Sequence, residues 1–215
     1  MSSLNNAVLL FQDWQMPAAA PAATGGGRGS RRKMTPEKLK KWSVNMTTEY
    51  LLDKEVERVL SALMPQNQLV LRVVLHTGFR ISDVLELKTA DLRPSGWVVE
   101  KKTGKRRRIG FPAPLLHEVR QQAGEIWAFP SPRNPRRHKT RQAVWHDVKR
   151  AARAFRLPQN VGTHSFRKVY AVELMKRYGD IDKVRRNLNH GSPSVTMVYA
   201  IADVLLERKK KSKRI

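Results

Sequence analysis

Apolar residues recur every three or four positions over the early part of the chain, which is the spacing of one helix face. Asp53 reads as a helix cap, with Glu55 and Glu57 in the first turn, where the helix dipole favours anions, and Val56, Val59, Leu60 and Leu63 behind them. Pro65 ends that helix. Gln66 to His76 carries the next, with an apolar face of Leu69, Val70, Val73 and Val74, and Thr77-Gly78 breaks it. Ser82 caps a third, short helix to Leu87, with Val84, Leu85 and Leu87 turned inward. The period then changes. Trp97, Val98 and Val99 are strand formers, Thr103-Gly104 is a turn, and Arg106 to Phe111 returns, so Gly96 to Phe111 predicts a β-hairpin.

Helical spacing resumes over Pro112 to Ala123, and Ile126 to Phe129 reads as a short strand before a Pro- and Arg-rich loop at 130–139. Thr140 to Phe155 predicts a basic amphipathic helix with Val144, Trp145, Val148 and Ala152 on one side. Thr163 caps a helix to about Tyr178, and Asp180 caps a short one to Leu188. Ser192-Pro193, a cap followed by proline at the first helical position, starts a helix that carries Tyr199. The predicted class is mainly α with a small antiparallel β-hairpin. Residues 1–33, low in complexity and poor in apolar bulk, read as a disordered basic leader. A linker at 34–46, in which Thr35 to Ser43 reads as a short helix or as linker, leads to a folded domain at 47–201. A basic tail at 202–215 closes the chain.

Charge changes this picture most. Lys and Arg number 42 against 18 acids in 215 residues, a net +24. Such an excess implies a polyanionic partner, most simply nucleic acid. The charge is clustered: Lys101 to Arg108 holds six basic residues in eight, Ser131 to Arg141 holds five, and Arg208 to Arg214 holds six in seven. Lys101, Lys105, Arg106, Arg107 and Arg108 on the hairpin, and Arg136, Arg137, Lys139 and Arg141 after it, are therefore the expected contacts to a DNA backbone. No apolar run approaches the length of a membrane span, and there is no cysteine for disulfides or thiolate metal sites.

One stretch concentrates the chemistry. Between Gly162 and Tyr199 lie a His-x-x-Arg pair, His164 and Arg167, a second histidine, His190, and a tyrosine nine residues later, Tyr199. His164 and Arg167, three apart, project from one face of a first helical turn. Cutting a phosphodiester without a metal needs a side-chain oxygen that can hold the phosphate, fixed cations for the non-bridging oxygens, and an acid for the leaving 5′-oxygen. Tyr199 is the candidate nucleophile. Arg80 and Arg167 form the clamp, since a guanidinium binds two phosphate oxygens and stays charged. His190 is a phosphate donor, His164 a base or proton shuttle, and Lys102 at the hairpin tip the acid, with Lys101 and Lys105 as alternatives. Asp83, three residues after Arg80, could orient the cations. Taken singly, each residue has an ordinary structural explanation; Arg80 and Arg167, for instance, could simply pair with Asp83 and Glu86.

Four segments in order resemble the boxes of the tyrosine recombinases, the phage-integrase family. They are TGFRISDVLELKTADL, EKKTGKRRRIGFP, THSFRKVYA and LNHGSPSVTMVYA, from about Thr77 to Tyr199. The resemblance implies a 3′-phosphotyrosyl intermediate on Tyr199, later reversed by a second 5′-hydroxyl, with no metal, no ATP and no other cofactor. By the same resemblance, Arg80, Lys102, His164, Arg167 and His190 assist, and a homotetramer assembles on double-stranded DNA. Type IB topoisomerase-like relaxation and a non-cutting accessory DNA binder are the alternatives. A metal-dependent integrase is disfavoured by the scarcity of acids. Fewer than eighty residues precede Arg80, too few for the family's usual helical core-binding domain. The chain therefore resembles the short fimbrial-switch invertases, and weak unaided DNA binding, an accessory DNA-bending or core-binding partner, or a trimmed chain is each consistent with that. Asn189 stands where the family usually has glycine. The expected location is the cytoplasm, at the nucleoid, or the nucleus in a eukaryotic or viral setting.

Overall fold

The computed structural model describes residues 48–178 and 181–188. The expected leader, linker and basic tail, the helix carrying Tyr199, and His190 lie outside the described residues. Within them run seven α-helices, a 3-10 turn at Thr89–Asp91 and one hairpin. The helices are α1 (Asp53–Ser61), α2 (Pro65–Thr77), α3 (Ile81–Leu85), α4 (Ala113–Gln122), α5 (Arg141–Ala154), α6 (Thr163–Tyr178) and α7 (Ile181–Leu188). The hairpin pairs β1 (Ser95–Val99) with β2 (Arg106–Gly110) antiparallel, and Trp97 faces Arg108.

Several boundaries differ from the expected ones for local reasons. Leu52, not Asp53, occupies the cap of α1, and its backbone N–H donates to Glu55 Oε2 at 2.7 Å. Pro65 opens α2 rather than merely closing α1, because its missing N–H costs nothing in a first turn. Arg80, not Ser82, stands at the cap of α3. Ile126 to Phe129 forms no strand: the segment makes a single bridge, Trp127 to Lys88, and buries Ala128 and Phe129 completely. Thr140 caps α5 from just outside the helix, its hydroxyl accepting from Ala143 N at 3.2 Å.

The core centres on α2 and α6, which pack against each other. α2 buries Val70, Leu71, Val73, Val74 and Leu75, so it is enclosed on more than the one face its spacing suggested. α6 buries ten of its sixteen residues, among them the polar Ser165, Arg167 and Lys168. A helix buried nearly all round shows little amphipathic pattern. Phe79, Phe129 and Phe166 fill the space between helices with almost no exposure.

Two features fix the frame around the site. Asp147 of α5 accepts from Met64 N at 2.9 Å and Asn67 Nδ2 at 2.7 Å, which ties α5 to the α1–α2 junction. Burial alone would push this carboxyl up; hydrogen bonds from Asn67, Met64 and Arg150 outweigh it and hold it below the usual range. Gly78 ends α2 at φ 63° and lies against the Tyr170 ring of α6, where a Cβ would collide. Left-handed backbone and close approach both exclude a side chain there. Gly78→Ala should therefore destabilise the fold by about 2–4 kcal/mol, combining left-handed strain with overpacking. Urea denaturation measures this, and a change below about 0.5 kcal/mol would mean the ring moves aside freely.

Candidate active site

A cleft of about 440 Å³ opens between α3, the start of α5 and the start of α6. Arg80, Ser82, His164, Arg167, Arg141 and Trp145 are among its lining residues. Three chain segments far apart in sequence thus meet at one place. The left-handed turn at Gly78 and the buried Phe79 hold the backbone just before Arg80. The first turn of α6 presents His164 and Arg167 together, as their spacing required.

Arg80 and Arg167 are both cleft residues, but neither pairs with the acid expected. Arg80 Nη1 donates to Glu100 Oε2 at 2.7 Å. Arg167, 3% exposed, donates from Nη2 to the Leu188 carbonyl at 2.8 Å, at the C-terminal end of α7. A cation there meets the negative end of the helix dipole. Leu188 stands two residues before His190 in sequence. Asp83, also buried, does not pair with Arg80: its Oδ1 accepts from Lys101 N at 3.0 Å, so α3 anchors the base of the hairpin loop. Burial, with Glu100 nearby, raises the Asp83 carboxyl above its ordinary value despite that bond and the Arg80 charge.

Lys102 is exposed at the hairpin tip, and its charge is the smallest of those acting on His164. Its neighbour Lys101 pairs with Glu86 at 2.5 Å, and Lys105 is exposed. Of the three candidate acids, Lys101 is therefore the one already engaged by a carboxylate.

The arginines of β2 divide by strand alternation. Arg106 and Arg108 are exposed, and Arg106 lies over the Trp97 ring at 5.5 Å. Arg107 turns inward, against its expected role as a backbone contact. It lies 4.5 Å over the Phe79 ring, faces Glu100 Oε1 at 3.5 Å and donates to the Thr77 carbonyl. Lys139 is likewise corrected: it is buried and donates to Gln66 Oε1 at 2.6 Å, since residue 139 forms the inner end of the loop and bonds Phe129 through its backbone. Arg136, Arg137 and Arg141 remain exposed. Trp145, expected on the buried face of α5, is 42% exposed and faces the cleft; Val144, Val148, Ala151 and Ala152 form the buried stripe.

Charge sets the protonation of the site. Partial removal from water, then the cations of Lys168, Arg167, Arg80 and Lys102, push His164 down to about 4. It is a neutral imidazole at pH 7. Burial and the nearby Arg80 and Arg107 lower Arg167 to about 10, which leaves it charged. Burial lowers Lys168 to about 8, opposed by Glu49, while its ammonium donates to the Thr48 carbonyl.

Residues 49–204 match the model of the phage integrase family. The chain belongs to that family. Among similar proteins, this integrase-family chain is 33% identical over 131 residues to the Bacillus subtilis protein named probable integrase/recombinase YoeC, covering 58% of this chain and 71% of the relative. It is 27% identical over 176 residues to the tyrosine recombinase XerA of Pyrococcus furiosus, covering 76% of this chain and 61% of that one. Its fold resembles the site-specific recombinase XerH bound to difH substrate in a pre-cleavage complex, with a TM-score of 0.56, 20% identity, and coverage of 70% and 49%. The integrase-family chain therefore spans less than two thirds of the last two proteins. The four boxes read from the sequence fall inside the matched residues, and the mainly helical fold with one hairpin is that of the family's catalytic domains.

Glu100 escaped the sequence reading, although it is the only acid between Asp91 and Glu118, immediately before the lysine run. His76 escaped it too. Burial, against its Gly110 hydrogen bond, lowers His76 to about 4. With buried His76 folded near 4 and unfolding toward 6.5, the unfolded chain takes up protons first. Stability should be complete above pH 6.5 and fall as pH drops from there toward 4. Denaturant midpoints across that range measure it. His76→Gln should remove part of the decline, and an unchanged slope would show that His76 is not its source.

Proposed function

We propose that this chain is the catalytic unit, residues 47–201, of a site-specific DNA recombinase that cuts and rejoins DNA through Tyr199. The observation that carries the reading is the meeting of Arg80, His164 and Arg167 in one cleft, from segments more than eighty residues apart, with the hairpin tied to Arg80 through Glu100.

The chemistry follows from that arrangement. A scissile phosphate in the cleft takes its non-bridging oxygens to Arg80 and Arg167, with His190 as a further donor. The Tyr199 hydroxyl oxygen attacks phosphorus, its proton passes to the neutral His164, and the bond to the 5′-oxygen breaks as Lys102 supplies a proton to it. A 3′-phosphotyrosyl ester and a free 5′-hydroxyl result, and a 5′-hydroxyl from a second duplex reverses the step. His164 near 4 is a weak base in the free protein. The arriving phosphodiester offsets the surrounding cations and raises it toward its ordinary value. Lys101, Lys105, Arg106, Arg108, Arg136, Arg137 and Arg141 hold the flanking backbone, Asp83 steadies the hairpin, and the tail from residue 202 bridges to a neighbour in a tetramer on DNA. The DNA complex of XerH, a structural neighbour, supports DNA as the partner.

Covalent trapping tests this. Incubation with nicked duplexes and chelator, followed by SDS, should give a protein–DNA band that Tyr199→Phe abolishes. Arg80→Ala and Arg167→Ala should reduce its rate by at least ~10². Intact DNA binding with no band would overturn the reading. Binding should also weaken by ~10³–10⁵ between 50 and 200 mM salt if six to ten phosphates are neutralised; a flat response on a filter-binding assay would remove the backbone role.

A further inference from the structure

Among the described residues of this acid-poor chain, one carboxylate is wholly removed from water, bonded to Arg80 of the cleft. Glu100 directly follows β1 and has 0% exposure. Its Oε2 accepts from Arg80 Nη1 at 2.7 Å and from Thr103 Oγ1 at 3.2 Å. Its Oε1 faces Arg107 Nη1 at 3.5 Å. The backbone of the same residue closes the hairpin loop: Glu100 N donates to Lys105 O at 3.0 Å, and Gly104 N donates to Glu100 O at 2.8 Å.

We propose that Glu100 is a positioning residue that fixes the hairpin tip, and with it Lys102, against the Arg80 clamp. The inference rests on the roles of Arg80 and Lys102 given above. A single oxygen bonds the guanidinium that is to hold the phosphate and the hydroxyl of the residue next to the acid. The distance between clamp and acid is thereby referred to one buried point. The base of the loop is held separately, through Asp83 and Lys101 N. Glu100 consequently governs the tip rather than the attachment of the hairpin. Arg80 gives one nitrogen to Glu100 yet still lines the cleft with 18% of its side chain exposed, so the support lies behind the phosphate-facing side. A carboxylate that only neutralised Arg107 would have no reason to bond Thr103.

Two variants separate positioning from stability. Thr103→Val keeps both ion pairs and the branched shape but removes the hydroxyl. Glu100→Gln removes the charge. Two readouts apply to the full chain: native-state trypsin cleavage after Lys101, Lys102 and Lys105, and the rate of covalent adduct on two nicked duplexes. One duplex has an ordinary scissile phosphate. The other has sulfur in place of the leaving 5′-oxygen, which departs as a thiolate without a proton and makes the acid dispensable.

Thr103→Val should speed cleavage at the tip by about tenfold, the scale of one hydrogen bond to a charged acceptor, with the urea midpoint lowered by no more than the loss of that one bond. It should slow adduct formation about tenfold on ordinary DNA and come within about threefold of wild type on the sulfur duplex, as a misplaced acid predicts. Glu100→Gln should show the same rescue and keep a residual defect on sulfur, because Arg80 also loses its support. Wild-type behaviour of Thr103→Val in both readouts would overturn the proposal, as would equal slowing on both duplexes. If wild type forms no adduct on either duplex, the recombinase reading fails. The proteolysis then decides the structural part alone, and an unchanged tip rate overturns it.

Discussion

Gathering several cations around one cleft is costly inside a folded protein, and the site is built around that constraint. Arg80, Arg107, Arg167 and Lys168 come together from α3's cap, β2 and the first turns of α6, with the buried carboxylates of Glu100 and Asp83 among them. A charge taken from water without a partner costs several kcal/mol, and removing one member of a buried pair typically costs ~3–5 kcal/mol. Glu100 meets this cost for two arginines at once. Helix geometry meets it for a third, since the Leu188 carbonyl receives Arg167 where α7 ends. An anionic phosphate arriving in the cleft would complete a set of charges that the protein alone leaves weighted toward the positive.

The hydrophobic core translates this arrangement into position. α2 and α6 pack tightly, and the approach is closest at Gly78, which touches the Tyr170 ring one turn beyond Arg167 on α6. From that contact the chain runs through buried Phe79 into Arg80. The clamp arginines are thus set by two helices whose separation is fixed by a residue with no side chain. On the other wall, Asp147 holds α5 to the α1–α2 junction and so sets the outward aim of Arg141 and Trp145. Partial removal from water, and after it the same crowding of cations, lowers His164.

Much of the fold was legible in the residues. The helical spacing of α1, α2, α4, α5 and α6 and the turn at Thr103-Gly104 follow from local chemistry and are observed within a few residues of where they were expected. The errors share a cause. Pro65 was read as a stop when its neighbours made it a start. Trp145 was placed inside because it lies near an apolar stripe, whereas the stripe runs through Ala151 instead. Arg107 and Lys139 were counted as surface charge because clusters were weighed as whole runs. Strand alternation alone would have turned either Arg107 or both Arg106 and Arg108 inward, but which face meets a core is not a local property.

By itself, the sequence determined the family boxes, the strongly basic character, the pairing of His164 with Arg167 on one helical turn, and the elements that carry them. These depend on residue type and on spacings of a few positions, which helix and strand periods translate directly into geometry. Tertiary structure alone decided that Arg80 bonds Glu100 rather than Asp83, that Asp83 serves the hairpin backbone, that Arg107 and Lys139 turn inward, and that Arg167 meets the end of α7. Each is a contact between groups about twenty or more residues apart. A buried charge takes whichever partner the packing of helices brings within reach, and no local period encodes that choice.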